Sequence, residues 1–81
     1  MLEVNFSGNI AKIDVRSRIQ RGEHPKAEIF DFIQKARRGT IVEIHLPHPA
    51  PPLVVGLESL GINAVVNELA PDHYRLMCVI L

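Results

Sequence analysis

The sequence has no tryptophan and a single cysteine, and aromatic residues make up only 5% of it. One cysteine, Cys78, excludes an internal disulfide and a cysteine-rich metal site. Charge of one sign is missing too: nine basic residues offset nine acidic ones. Phosphate backbones and anionic membranes attract clustered positive charge, so no broad nucleic-acid or membrane surface is expected. Long apolar runs are absent, the longest falling far short of the roughly 20 residues that span a bilayer. Glu3, Asn5 and Ser7 break up the start of the chain, so no signal-peptide pattern opens it. The expected location is cytoplasmic.

What is present is an ordinary globular balance, 47% apolar and 22% charged residues in 81 positions. That length means one domain. A chain this short buries only about 60–65% of its unfolded surface, so its core has to be efficient.

Leu2, Val4 and Phe6 alternate with polar residues, and Ser7-Gly8-Asn9 reads as a turn. Residues 1–11 are thus an N-terminal extension or an extra strand. Ile13 and Val15 alternate with Lys12, Asp14 and Arg16 as a strand, and polar residues 17–23 read as a loop. His24-Pro25 opens a helix, because proline at the first helical position lacks only an N–H that would be unpaired there. Ile29, Phe30, Ile33 and Ala36 fall at helical spacing, and Asp31 and Lys35 can pair on the opposite face. Lys35, Arg37 and Arg38 complement the negative end of the helix dipole, and Gly39 stops the helix.

Thr40–Leu46 alternates as a strand, with Val42, Ile44 and Leu46 on one face and Ile41, Glu43 and His45 on the other. The four prolines between positions 47 and 52 forbid regular structure until Pro51 or Pro52 starts a second helix. Leu53, Val54, Leu57 and Leu60 line that helix, and Gly61 ends it. Residues 62–69 form a strand, Ala70-Pro71-Asp72 a turn, and 73–81 the last strand. The order β-α-β-α-β-β predicts an α/β (α+β) two-layer sandwich: a four-stranded mixed sheet with two helices on one face. Tyr74, Leu76, Cys78 and Ile80 face the helices. Arg75, Met77, Val79 and Leu81 face outward with Ile41 and His45, making an outer face more apolar than a bare surface needs.

Over residues 12–81 this order, with a proline-led first helix, resembles the TusA-like fold of small sulfur-carrier proteins. In those carriers a Cys-Pro-x-Pro motif opens the first helix; here His24-Pro25-Lys26-Ala27 stands in its place. The chain is more similar to a cysteine-less branch of that fold, a domain family of unknown function sometimes found beside hemerythrin-like domains. The matching motifs are Asp14-Val15-Arg16, Glu23-His24-Pro25, His48 with Pro52-Leu53, and Tyr74-Arg75. The aspartate that this branch carries after its second histidine is Pro49 here.

Cys78 lies mid-strand between Met77 and Val79, where a free cysteine behaves as a small inert hydrophobe rather than an activated thiolate. His24 precedes Pro25 as the expected N-cap, where the positive end of the dipole disfavours a charged ring and a neutral imidazole can ligate a metal. The alternative is a solvated capping residue. Both helices follow neighbouring strands, which puts their N-termini at one end of the sheet and lets His24 and His48 approach each other. His45 is three residues before His48. Together the three would supply imidazole ligands suited to a transition metal or haem iron, the alternative being surface histidines beside prolines. Arg18, Arg21 and Lys26 surround the first helix N-terminus, where free N–H groups can bind an anion. Asp14 and Arg16 read as structural charges pairing with neighbours or with Arg75 on the last strand. No catalytic constellation can be assembled from the remainder.

Three functions follow as expectations. The first is a carrier or binding module for a metal or anionic ligand at the helix N-termini, with His24, Arg21 and Lys26 on the ligand and His24, His48 and His45 on a metal. The second is a module that docks a protein partner, or a second copy, through the outer sheet face. The third, least favoured, is a sulfur carrier acting through Cys78.

Overall fold

The computed structural model describes residues 2–81. Its strands are β1 (Asn5–Ser7), β2 (Ile10–Asp14), β3 (Ile41–Leu46), β4 (Ala64–Ala70) and β5 (His73–Val79). Its helices are α1 (Arg16–Gln20), α2 (Lys26–Lys35) and α3 (Pro51–Ser59). The strands form one sheet in the order β1-β2-β3-β5-β4, with β2 and β3 parallel and the other neighbours antiparallel. The N-terminal segment supplies the fifth strand: Phe6 pairs with Ala11 across the Gly8-Asn9 turn. Met1 lies outside the described residues. Among those residues no helix is long and apolar enough to cross a membrane.

The period-2 pattern of β3 puts Val42, Ile44 and Leu46 on the helix side, each at most 1% exposed. Against them pack Ile29 and Ile33, four apart on α2, and Leu53 and Leu57, four apart on α3. Ile13, Leu76, Cys78 and Ile80 complete this core. Truncating any of its fully buried aliphatics to alanine is expected to cost about 2–5 kcal/mol.

Three local expectations are corrected. Residues 17–23 are not all loop, because Ile19 packs on the core and holds one helical segment, α1, in place. Arg18 then bridges that segment to Glu23 (2.8 Å) and Glu28, fixing the entry to α2. Secondly, Pro25 rather than His24 is the N-cap, so His24 lies one residue before the helix. Thirdly, α2 ends at Lys35, and Ala36 is already extended (φ −70°, ψ 149°). Gly39 therefore does not stop the helix. Its φ of +88° serves the turn into β3, where its N–H donates to the Ile80 carbonyl at 2.6 Å. That sheet contact outweighs another helical turn. At α3 the glycine does end the helix: Gly61 N–H reaches Glu58 and Ile62 N–H reaches Leu57, the paired bonds of a Schellman motif.

The parallel pair sets the position of the site. α2 and α3 follow β2 and β3, and both helices start beyond the carboxyl ends of those strands. That end of an open sheet is where α/β proteins hold ligands.

Candidate functional site

Two chain segments meet at that end. One is His24-Pro25-Lys26 entering α2, and the other is His48 to Leu53 entering α3. Between them lies a cavity of about 160 Å³. Ile29, Leu46 and Leu53 form its apolar wall, and His24, Lys26 and His48 are the exposed polar residues beside it. The structure thus brings His24 and His48 to one cavity from distant parts of the sequence.

The wall includes a strained residue. Ala50 adopts a left-handed conformation (φ 52°, ψ 57°) as the cap of α3. A Cβ in this region costs roughly 1–2 kcal/mol. Its carbonyl accepts from both Leu53 N–H (3.0 Å) and Val54 N–H (3.4 Å). Pro51 and Pro52 have no N–H, so α3 offers no free donors to a ligand. At α2 the first bonded amide is Ile29, to the Pro25 carbonyl, which leaves the N–H groups of Lys26 and Ala27 free of intrahelical partners.

The cations beside α2 are less available than their number implies. Arg21 is held by Glu23 through two hydrogen bonds, at 2.9 and 3.2 Å, and Arg18 is shared between Glu23 and Glu28. These guanidinium groups hold the Glu23 carboxyl below its ordinary range, and Arg18 does the same to Glu28. Lys26 remains beside the cavity, its Nζ 5.8 Å from the centre of the Phe30 ring.

His45 takes no part in this cavity. It is on the opposite face of the sheet, 6% exposed, and both ring nitrogens are engaged. Nε2 meets Glu43 Oε2 at 2.6 Å, and Nδ1 meets His73 Nε2 at 2.7 Å. A carboxylate can only accept, so Nε2 carries a proton. In the neutral ring, Nδ1 then accepts from His73 N–H; on protonation it donates instead. Glu43, His45 and His73 are thus a single proton-linked chain. Strand register gathers charge around it: Asp14, His45, Arg75 and Asn67 lie in one row across the sheet, and Lys12, Glu43, Met77 and Val65 in the next. Arg75 Nε is buried there without a hydrogen-bond partner. A register shift in β4 between Glu68 and Ala70 lies beside His73, the sort of irregularity that re-aims a neighbouring side chain.

Sequence reading assigned no role to Glu43 or His73. The available signal was the i, i+2 spacing of Glu43 and His45, which puts both on one strand face. His73 is 28 residues away from His45 and is reached only through the β3–β5 pairing. Asp14 and Arg16 pair with each other at 2.8 Å and not with Arg75, and this bond pulls the Asp14 carboxyl down. Cys78 is 4% exposed in the core, and burial pushes its thiol up.

Among the described residues no three or more His, Cys, Asp or Glu side chains form a group able to hold a metal ion. No family model matches the chain, and no curated protein matches it.

Proposed function

We propose that the chain is a TusA-like binding module without the carrier cysteine, and that it holds a transition-metal ion, or a small ligand bearing one, between His24 and His48. The observation that carries this reading is the shared cavity between the starts of α2 and α3. Imidazole nitrogens suit zinc, copper and nickel. Two protein ligands leave coordination positions open, and a ligand or partner fills them. The N–H groups of Lys26 and Ala27 at the start of α2, with the Lys26 ammonium, favour an anionic ligand at those positions. The apolar wall accepts a few carbon atoms of that ligand and keeps water from competing. At about 160 Å³ the cavity is below the range of about 300–1,000 Å³ that encloses larger ligands, so a haem would lie across its mouth, not inside.

Calorimetric titration with zinc and with nickel tests this. Saturable one-to-one binding should weaken at least ten-fold in both His24→Ala and His48→Ala, and be unchanged in His73→Gln. Equal binding by all three variants would refute the site.

A second reading, docking of a protein partner on the outer sheet face, is favoured by Val65 and Val79, which are exposed on that face of β4 and β5. Concentration-dependent self-association abolished by Val79→Lys would support a homodimer there. A monomer at all concentrations would exclude it.

A further inference from the structure

A groove of about 720 Å³ lies at the other end of α2, between the β1–β2 turn and the segment that follows the helix. Phe6, Phe32, Asn9, Lys35, Arg37 and Arg38 are among its lining residues. Its volume is within the range of about 300–1,000 Å³ typical of sites that enclose a small molecule.

Two features here are unexplained by the fold. The first is the arginine pair. Because α2 ends at Lys35 and Ala36 is extended, Arg37 and Arg38 lie beyond the last helical turn. The dipole is complemented by Lys35, which also pairs with Asp31 at 3.2 Å. Arg37 and Arg38 are both exposed, and neither guanidinium has a hydrogen-bond or ion-pair partner among the described residues. No carboxylate lines the groove. The second is Phe6, 65% exposed on a three-residue edge strand. Its ring centre is 6.2 Å from that of Phe32 with a 50° tilt, so the two rings do not cover each other's faces. Aromatic residues are scarce in this chain, and here two of them flank a cationic rim.

The segment is also held rigidly. Asn9 Nδ2 donates to the Gly39 carbonyl at 3.2 Å, Thr40 N–H to Arg37 at 3.1 Å, and Ile41 N–H to Asn9 at 2.8 Å. The arginines therefore project from a turn anchored to both the sheet and the β1–β2 hairpin.

We propose that this groove binds a phosphorylated nucleoside, with the base against Phe6 and Phe32 and the phosphates on Arg37 and Arg38. An aromatic face takes any base, and guanidinium forks match phosphate oxygens. Two unpaired arginines on a chain with no net charge suit the short phosphate run of a free nucleotide better than a long backbone. The same chemistry exists in a single strand, so both sources enter the test.

The experiment is an NMR titration of the whole chain with ADP, with adenosine, with pyrophosphate and with a short single-stranded oligonucleotide. ADP should shift the Phe6 and Phe32 ring signals and saturate at or below about 1 mM. Adenosine and pyrophosphate should each bind at least ten-fold more weakly. Phe6→Ser and the Arg37→Ala/Arg38→Ala pair should each weaken ADP about ten-fold or more. Both changes are at exposed positions, and the unperturbed core signals will confirm the fold. Tighter binding of the oligonucleotide with the same dependence on Phe6 and the arginines would assign the nucleotide to a strand. Pyrophosphate binding as well as ADP, indifference to Phe6→Ser, or no shift with any of the four would overturn the proposal.

Discussion

Gly56 sits inside α3, where glycine is about 1 kcal/mol less favourable than alanine. Propensity alone therefore makes Gly56→Ala a stabilising change. Packing predicts the reverse. A Cβ at Gly56 would overlap the tip of the Phe30 ring, which α2 lays across this point of α3. Lys26 is over the same ring, and Phe30 is packed against the core, so moving the ring gives up buried apolar contact. Overpacking of this kind costs about 1–3 kcal/mol. Set against the propensity gain, the net is a loss of about 1 kcal/mol, which in a domain this small lowers Tm by about 4–8 °C. Thermal and urea unfolding of Gly56→Ala, followed by circular dichroism, measures it. In a Phe30→Leu background the ring tip is gone, and the same substitution should become neutral or stabilising. A Gly56→Ala protein about 1 kcal/mol more stable than the parent would show that the two helices do not meet closely here, and would refute the reasoning.

Replacing Ala50 with glycine removes a Cβ from a left-handed residue and should raise stability by about 0.5–1 kcal/mol, measured by the same unfolding assays. Burial of the His73 ring, then Arg16 and His45 nearby, lowers its pKa from 6.5. The unfolded chain therefore takes up the proton first as pH falls, so stability decreases below about pH 6.5. His73→Gln should flatten that slope in a urea midpoint series. The carboxyls of Asp14, Glu23 and Glu28 are shifted downward, so their loss comes only below 3.8 to 4.5 and does not obscure it. Cys78 is core-buried with its thiol shifted upward, so a disulfide-exchange reagent should label it only on unfolding. Prompt labelling of the native protein would revive the sulfur-carrier reading.

Much of the architecture was legible in local pattern. The alternation in β3, the i, i+4 pairs of α2 and α3, the Pro71-Asp72 turn and the glycine after α3 all follow from chain geometry, and each is found in place. Ends decided by tertiary bonds were not legible. α2 stops short because Gly39 bonds to Ile80, a contact between segments about half the chain apart. That His24 and His48 border one cavity could be argued in advance, because it depends only on two helices following parallel strands. His45 could not be placed by its distance from His48 in sequence, since strand alternation sends neighbouring residues to opposite faces. Its partner His73 belongs to a strand whose register no local signal sets. The polar chain on the outer face, where an apolar surface was expected, has the same origin.

Metal binding at the cavity requires His24 and His48 to act together, and the histidine ring resonances of the labelled protein report on that directly. On titration with zinc, the rings of His24 and His48 should shift together and saturate near one equivalent, while those of His45 and His73 stay in place. His24→Ala should abolish the His48 shift. Shifts at all four histidines in proportion, or none at one equivalent, would contradict the claim that the cavity between α2 and α3 is the binding site.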